Sequence, residues 1–222
     1  LKFNRKRMSA LVVVFAILTV AGGVLANSIF NFFAQADTDK MDLEVTVGTL
    51  DTSQFTLGNA QLPAFFDNLA QALASTSYDA KAPQNIPAGY QFTNATYHAP
   101  SGELFQNYQC GDASLSLSQR PLGQGEEFSL SVGASASIIP VAVGDGGEYV
   151  RGGWLTDSDT PSISLDSNNT APVTTNFELN WSNDLPQHAM MWTENGMLYS
   201  LSTSVSEGAC ELTQADILAF AN

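Results

Sequence analysis

The sequence predicts an α+β fold: a curved antiparallel sheet with a helix before it and a short C-terminal helix, preceded by one N-terminal transmembrane helix. Three observations carry this expectation. Short runs with strand-like alternation, separated by turn signals, fill the region 90–205. Apolar residues recur at helical spacing before that region, and a capping pattern follows it. An uncharged stretch near the start is long enough to span a bilayer. The 222 residues thus divide into a basic stub with a spanning helix (1–36), a linker (37–59) and one domain (60–222).

Met8 to Leu25 carries no charge, and the uncharged stretch continues through Ala36. Four of the eight basic residues, Lys2, Arg5, Lys6 and Arg7, precede it and should stay cytoplasmic. Ile29, Phe30, Phe32 and Phe33 read as an interfacial continuation of the helix. The stretch also reads as a signal peptide cut after Ala34-Gln35-Ala36, an A-x-A pattern. It is long for that purpose, so a single-pass anchor with the C-terminal domain outside is favoured. No cysteine follows the apolar run, which excludes a lipid-anchored cysteine. The first residue is Leu1, not Met, which fits either a fragment of a longer chain or a start at an unusual codon.

The 22 acidic residues all lie at or beyond Asp37, where only Lys40, Lys81, Arg120 and Arg151 oppose them. Nucleic-acid binding through a basic face is excluded, because phosphate neutralisation needs clustered Lys and Arg. Docking on an anionic membrane surface is disfavoured for the same reason. Cys110 and Cys210 are the two cysteines, 100 positions apart, without a CxxC or a nearby His at ligand spacing. An exported domain would join them as a disulfide; otherwise they are buried thiols.

Along the linker, Leu43-Glu44-Val45-Thr46-Val47 alternates and predicts a short strand. Leu62, Phe65, Phe66, Leu69, Ala70 and Leu73 then predict one amphipathic helix, with Pro63 in its first turn. Ala82 to Tyr90 is a rigid connection. Strands are predicted at Tyr90–His98, Leu104–Gln109, Ser114–Gln119, Phe128–Val132, Ile138–Val143, Glu148–Leu155, Phe177–Trp181, Ala189–Thr193 and Met197–Val205. Asn195-Gly196 is the strongest hairpin signal, and Gly144-Asp145-Gly146-Gly147 is a second tight turn. Gly152-Gly153 suggests a bulge or a close backbone approach. Asp157 to Asn176 reads as a loop insertion. Thr213 and Asp216 form a capping box that opens the terminal helix.

Several segments together resemble a known family. They are Ile86-Pro87-Ala88-Gly89-Tyr90, Tyr108-Gln109-Cys110-Gly111-Asp112 leading into Leu115-Ser116-Leu117-Ser118-Gln119, and Gly147-Glu148-Tyr149-Val150-Arg151-Gly152-Gly153-Trp154. Met191-Trp192-Thr193-Glu194-Asn195-Gly196-Met197-Leu198-Tyr199 and the closing Leu212–Leu218 helix also fit. Over roughly residues 62–222 they are similar to the bacterial extracytoplasmic domain-of-unknown-function family 4367, the type associated with anti-sigma factors. The resemblance implies a bacterial domain held outside the cell membrane behind a membrane helix, and it brings no catalytic residues. Only seven residues precede Met8, none of them His or Cys, so an anti-sigma role depends on residues before Leu1.

Catalytic signatures are sparse. His98 and His188 are the only histidines; both stand near a proline and read as loop residues. No Gly-x-Ser-x-Gly elbow, phosphate loop, H-E-x-x-H or dinucleotide fingerprint occurs. Glu126-Glu127 would diverge on a strand and make a poor acid/base pair. Asp157, Asp159 and Asp166 are a weak Ca²⁺ candidate without the EF-hand spacing. Trp154, Trp181 and Trp192 read as core or sheet-face aromatics. No cofactor is expected. The expected function is a non-catalytic sensory or binding module with an unidentified extracytoplasmic ligand or protein partner, anchored in the membrane. The alternatives are a carrier or chaperone for an apolar ligand or lipoprotein, the outer domain of an anti-sigma-type regulator, and an exported hydrolase with an unrecognised site.

Overall fold

A computed structural model describes residues 32–47, 62–123, 128–156, 173–204 and 210–222. Period-2 alternation of apolar and small polar residues builds most of it. The strands are β1 (Phe33–Gln35), β2 (Lys40–Val47), β3 (Ala64–Phe66), β4 (Gln91–His98), β5 (Glu103–Cys110), β6 (Ala113–Pro121) and β7 (Leu130–Val132). They continue as β8 (Ile139–Val141), β9 (Gly146–Arg151), β10 (Gly153–Thr156), β11 (Val173–Ser182), β12 (His188–Glu194) and β13 (Met197–Ser204). Among the described residues the helices are α1 (Leu69–Ala74) and α2 (Gln214–Ala221).

Eight strands form one antiparallel sheet in the order β3-β4-β5-β6-β13-β12-β9-β8. The register puts Leu104, Gln106 and Tyr108 of β5 opposite Gln119, Leu117 and Leu115 of β6. Tyr199 and Leu201 of β13 continue those rows, followed by Trp192 and Met190 of β12. All of these side chains are buried on one face. Ile217 and Phe220 of α2 close over it, with Phe220 edge-on to Tyr108 at 5.4 Å. Ala72 of α1 packs at the β4–β5 end with Ala95, Tyr97 and Leu104.

The opposite face is covered in part by a second β layer. It contains the parallel pair β1-β7 and the three-stranded sheet β10-β11-β2. Phe32, Phe33, Val132 and Ala136 pack there against Val150, Met191 and Leu198 of the large sheet. The chain crosses between layers at Gly152, which separates β9 from β10. Its φ is +121°, and a Cβ there would lie 2.7 Å from the Ser182 carbonyl oxygen. The close approach expected at Gly152-Gly153 is thus a change of sheet.

The α+β expectation is corrected: the domain is mostly β-sheet, with a large antiparallel sheet and two short helices among the described residues. The helix expected over Leu62–Leu73 is instead an edge strand followed by one and a half turns of α1. Asn68 stops the helix from extending backward: its backbone is extended, and its side chain accepts a hydrogen bond from the Gln71 N–H at 3.1 Å. Leu62 and Phe65, two members of the supposed apolar stripe, are 79% and 77% exposed. Their helical spacing was a coincidence of a strand joined to a helix.

The transmembrane helix, and with it the single-pass location in the bacterial cell membrane, is also corrected: no helix among the described residues is long and apolar enough to cross a membrane. Met8–Leu25 lies outside the described residues. The expected interfacial continuation is described from Phe32 onward, and there it belongs to the fold. Phe32 and Phe33 are buried core residues, and β1 pairs in register with Leu130–Val132. The Ala36 N–H donates to the Val132 carbonyl at 2.8 Å. A cut after Ala36 would therefore remove a strand from the second layer.

The nine strands predicted between Tyr90 and Val205 correspond to β4 through β13, with Glu148–Leu155 divided at Gly152. The linker contains β2, whose eight residues pair with β11. Of the loop expected over Asp157 to Asn176, residues 157–172 lie outside the described residues, and from Val173 the chain is strand β11. At Asn195-Gly196 both residues have positive φ, +51° and +75°, and Glu194 pairs with Met197. This is the two-residue hairpin turn whose twist matches its strands. The capping box of α2 is present, with the Asp216 N–H donating to Thr213 Oγ1 and the Thr213 N–H to Asp216 Oδ2.

Candidate functional site

Aromatic residues at facing positions of β12 and β13 form the wall of a cleft. Trp192 pairs across strands with Tyr199, and the rings stack at 5.0 Å with planes 8° apart. Leu117 of β6 and Phe220 of α2 complete the apolar lining. Residues Lys81–Gln84 form one rim; Gly144 and Glu194 form the other. The cleft holds about 370 Å³, near the lower end of the ~300–1,000 Å³ typical of small-molecule sites.

Two buried glutamines fix the Lys81 rim. The Lys81 N–H donates to Gln119 Oε1 at 2.9 Å. The Lys81 carbonyl accepts from Gln119 Nε2 at 2.8 Å and from Gln106 Nε2 at 2.9 Å. Gln106 Oε1 in turn accepts from the Tyr108 hydroxyl at 2.9 Å. The segment around Lys81 is thereby strapped to the sheet through satisfied buried polar groups. From that fixed backbone the Lys81 side chain crosses the cleft to Glu194, with Nζ 2.5 Å from Oε1. The pair is half-exposed on the Lys81 side, so water screens it.

Two donors meet this wall. Burial, then the charges of Glu194 and Asp79, push the Tyr199 phenol up to about 12, so it stays protonated at neutral pH. Trp192 is 2% exposed, and its Nε1 is a buried side-chain donor without a hydrogen-bond partner among the described residues. The Cδ1 bonded to that nitrogen lies against Gly144, where a Cβ would be 3.1 Å away. Leaving such a donor unpaired costs about 1–3 kcal/mol.

The residues singled out from the sequence fall elsewhere, with one exception. Cys110 and Cys210 form a disulfide that ties the end of β5 to the chain entering α2. Asp157, Asp159 and Asp166, and Glu126-Glu127, lie outside the described residues. Among the described residues no group of three or more His, Cys, Asp or Glu could hold a metal ion. His98, the last residue of β4, has its Nδ1 2.7 Å from Ser101 Oγ in the turn that follows, and neither lines the cleft. The exception is Trp192, which lines the cleft, while Trp154 and Trp181 meet edge-on in the second layer at 5.4 Å.

His188 is not the loop residue expected beside Pro186: it is 5% exposed, and its Nδ1 lies 2.6 Å from the Tyr149 hydroxyl. Burial holds the imidazole below its ordinary 6.5; Arg151 adds to this, while the Leu212 backbone and Asp216 oppose it. The folded state therefore favours neutral His188. Its contribution to stability is complete above the ordinary value and is lost as pH falls through the window beneath it. Urea midpoints measured from about pH 7.5 down to about pH 5 should decline, and His188→Gln should flatten part of that decline. An equally steep decline in the variant would assign it to other groups.

Lys81, Gln106 and Gln119 went unnoticed in the sequence. A signal existed for the glutamines: each occupies an inward position of an alternating strand, where a polar residue is unusual. Comparison with protein-family models, with curated proteins and with solved structures finds no match to this chain.

Proposed function

We propose that this domain is a non-catalytic binding module whose ligand enters the cleft between the Lys81 strap and the Trp192–Tyr199 wall. The observation that carries the reading is an open, mixed polar and aromatic cleft whose Lys81 rim is held in place by two buried glutamines. Membership of domain family 4367 accompanies this reading as a proposal and adds no catalytic role. The binding reading is favoured over an apolar carrier because α1 and α2 cover much of the inner face of the sheet and the opening that remains has a polar rim of Lys81 and Glu194.

Thermal unfolding with the small-molecule fraction of a bacterial extract tests the reading. The native chain should gain stability with added fraction, by about 2.7 kcal/mol at a hundredfold excess over Kd. Ala82 is exposed on the cleft rim, so Ala82→Trp should fill the mouth and abolish the gain with little change in the unliganded midpoint. Equal gains in both proteins would place binding elsewhere.

A further inference from the structure

The chemistry around this cleft narrows its ligand, an inference that rests on the binding reading above. The rim presents one ammonium and one carboxylate side by side, Lys81 and Glu194, above a wall of Trp192, Tyr199, Leu117 and Phe220. We propose that the cleft takes a small zwitterion with an apolar body, about the size of a single α-amino acid. Its carboxylate pairs with Lys81 and its ammonium with Glu194, and the apolar body lies on the aromatic wall.

Three features favour a ligand with both charges. Water screens an exposed ion pair, so opening it costs little. A ligand with one charge would strand the other member of the pair, whereas a zwitterion re-pairs both. The rest of the domain is strongly acidic, so a lone anion would be repelled, and a lone cation would have to displace Lys81 from Glu194.

The positioning of Lys81 is the second line of support. Five polar residues are buried among those described, and two of them, Gln106 and Gln119, bond to the Lys81 main chain. They hold one of the four cations beyond Asp37 at the cleft mouth. The modest volume limits the ligand to one residue rather than a long peptide.

Isothermal titration of the full chain with four probes tests the proposal. They are L-phenylalanine, phenethylamine, 3-phenylpropanoate and 2-phenylethanol, which share a ring and differ in charge. The expected result is that L-phenylalanine binds at least about tenfold more tightly than the other three. Lys81→Met and Glu194→Gln should each remove that advantage while leaving the thermal midpoint near the native value, since both side chains reach solvent. Equal binding of L-phenylalanine and 2-phenylethanol, insensitive to Lys81→Met, would overturn the zwitterion and leave the cleft as a binding site. Absence of binding by all four would also overturn it, and the Ala82→Trp comparison would then decide the cleft independently.

Discussion

Replacing Cys110 by alanine is expected to lower the unfolding free energy by about 4–5 kcal/mol, the chain-entropy value for a loop of this length. The bridge to Cys210 closes a separation of 100 residues. It also anchors local structure. The Tyr90 hydroxyl donates to the Cys210 carbonyl at 3.1 Å, and a Cβ on Gly89 would stand only 2.8 Å from Cys110 Sγ. The bridge, the Ala88–Tyr90 corner and the entry to α2 are therefore packed as one unit. Without it, α2 keeps the packing of Ile217 and Phe220, its cap and the hydrogen bond that Asn85 Nδ2 donates to the Ala219 carbonyl at 2.9 Å. Urea unfolding of oxidised native protein, Cys110→Ala, Cys210→Ala and the double variant is the check. Each single variant should match the double, because all three lose the same constraint. Single variants within about 1 kcal/mol of the native protein would show that the bridge contributes little beyond ordinary substitution costs.

Gly152→Ala should cost at least about 3 kcal/mol, since strain and overlap act together. A φ of +121° is outside the range that L side chains adopt readily. The added Cβ would also meet the Ser182 carbonyl oxygen at 2.7 Å and Trp181 Cζ2 at 2.8 Å. Neither neighbour yields cheaply: Ser182 pairs with Gly153, and Trp181 donates from its backbone N–H to the Asp39 carbonyl at 2.8 Å. Gly111 supplies the control. It too has positive φ, +59°, but a Cβ there meets nothing within 4 Å. Gly111→Ala should thus show only the backbone penalty, about 1–2 kcal/mol. Comparable losses at the two positions, measured by urea unfolding, would remove the steric part of the argument.

The strands were legible because period-2 alternation is local: Leu115, Leu117 and Gln119 turn inward while Ser114, Ser116 and Ser118 turn outward. The Asn195-Gly196 turn was legible because two successive positive-φ residues suit that dipeptide. The partition into two layers was not. Nothing local distinguishes a strand of the large sheet from one of the β2-β11 ladder; that depends on partners far away in the chain. Helical spacing misled over Leu62–Leu73 because a three-residue strand and a six-residue helix can together mimic one apolar stripe. The uncharged run misled at Phe32 and Phe33 because hydropathy does not distinguish a bilayer from a protein core.

The candidate site was less legible than the fold. Trp192 was noticed as a sheet aromatic, but its missing partner is a property of packing, not of composition. Lys81 and Glu194 are 113 residues apart, and only the strap across the sheet brings them together. The two glutamines that hold the strap carried the one readable clue, their inward register.

The pairing of β1 and β2 has a consequence for biogenesis. Val47 pairs with Val173, Lys40 with Asn180, and Phe33 with Leu130. The segment synthesised first therefore waits for partners made much later in the chain. At about 5–20 residues per second, this leaves the Lys40–Val47 strand unpaired on the order of ten seconds after it is made. An unpaired strand edge is a template for wrong contacts during that time. The β2-β11 ladder of the second layer must consequently close after the β4-β5-β6 strands of the large sheet have been made.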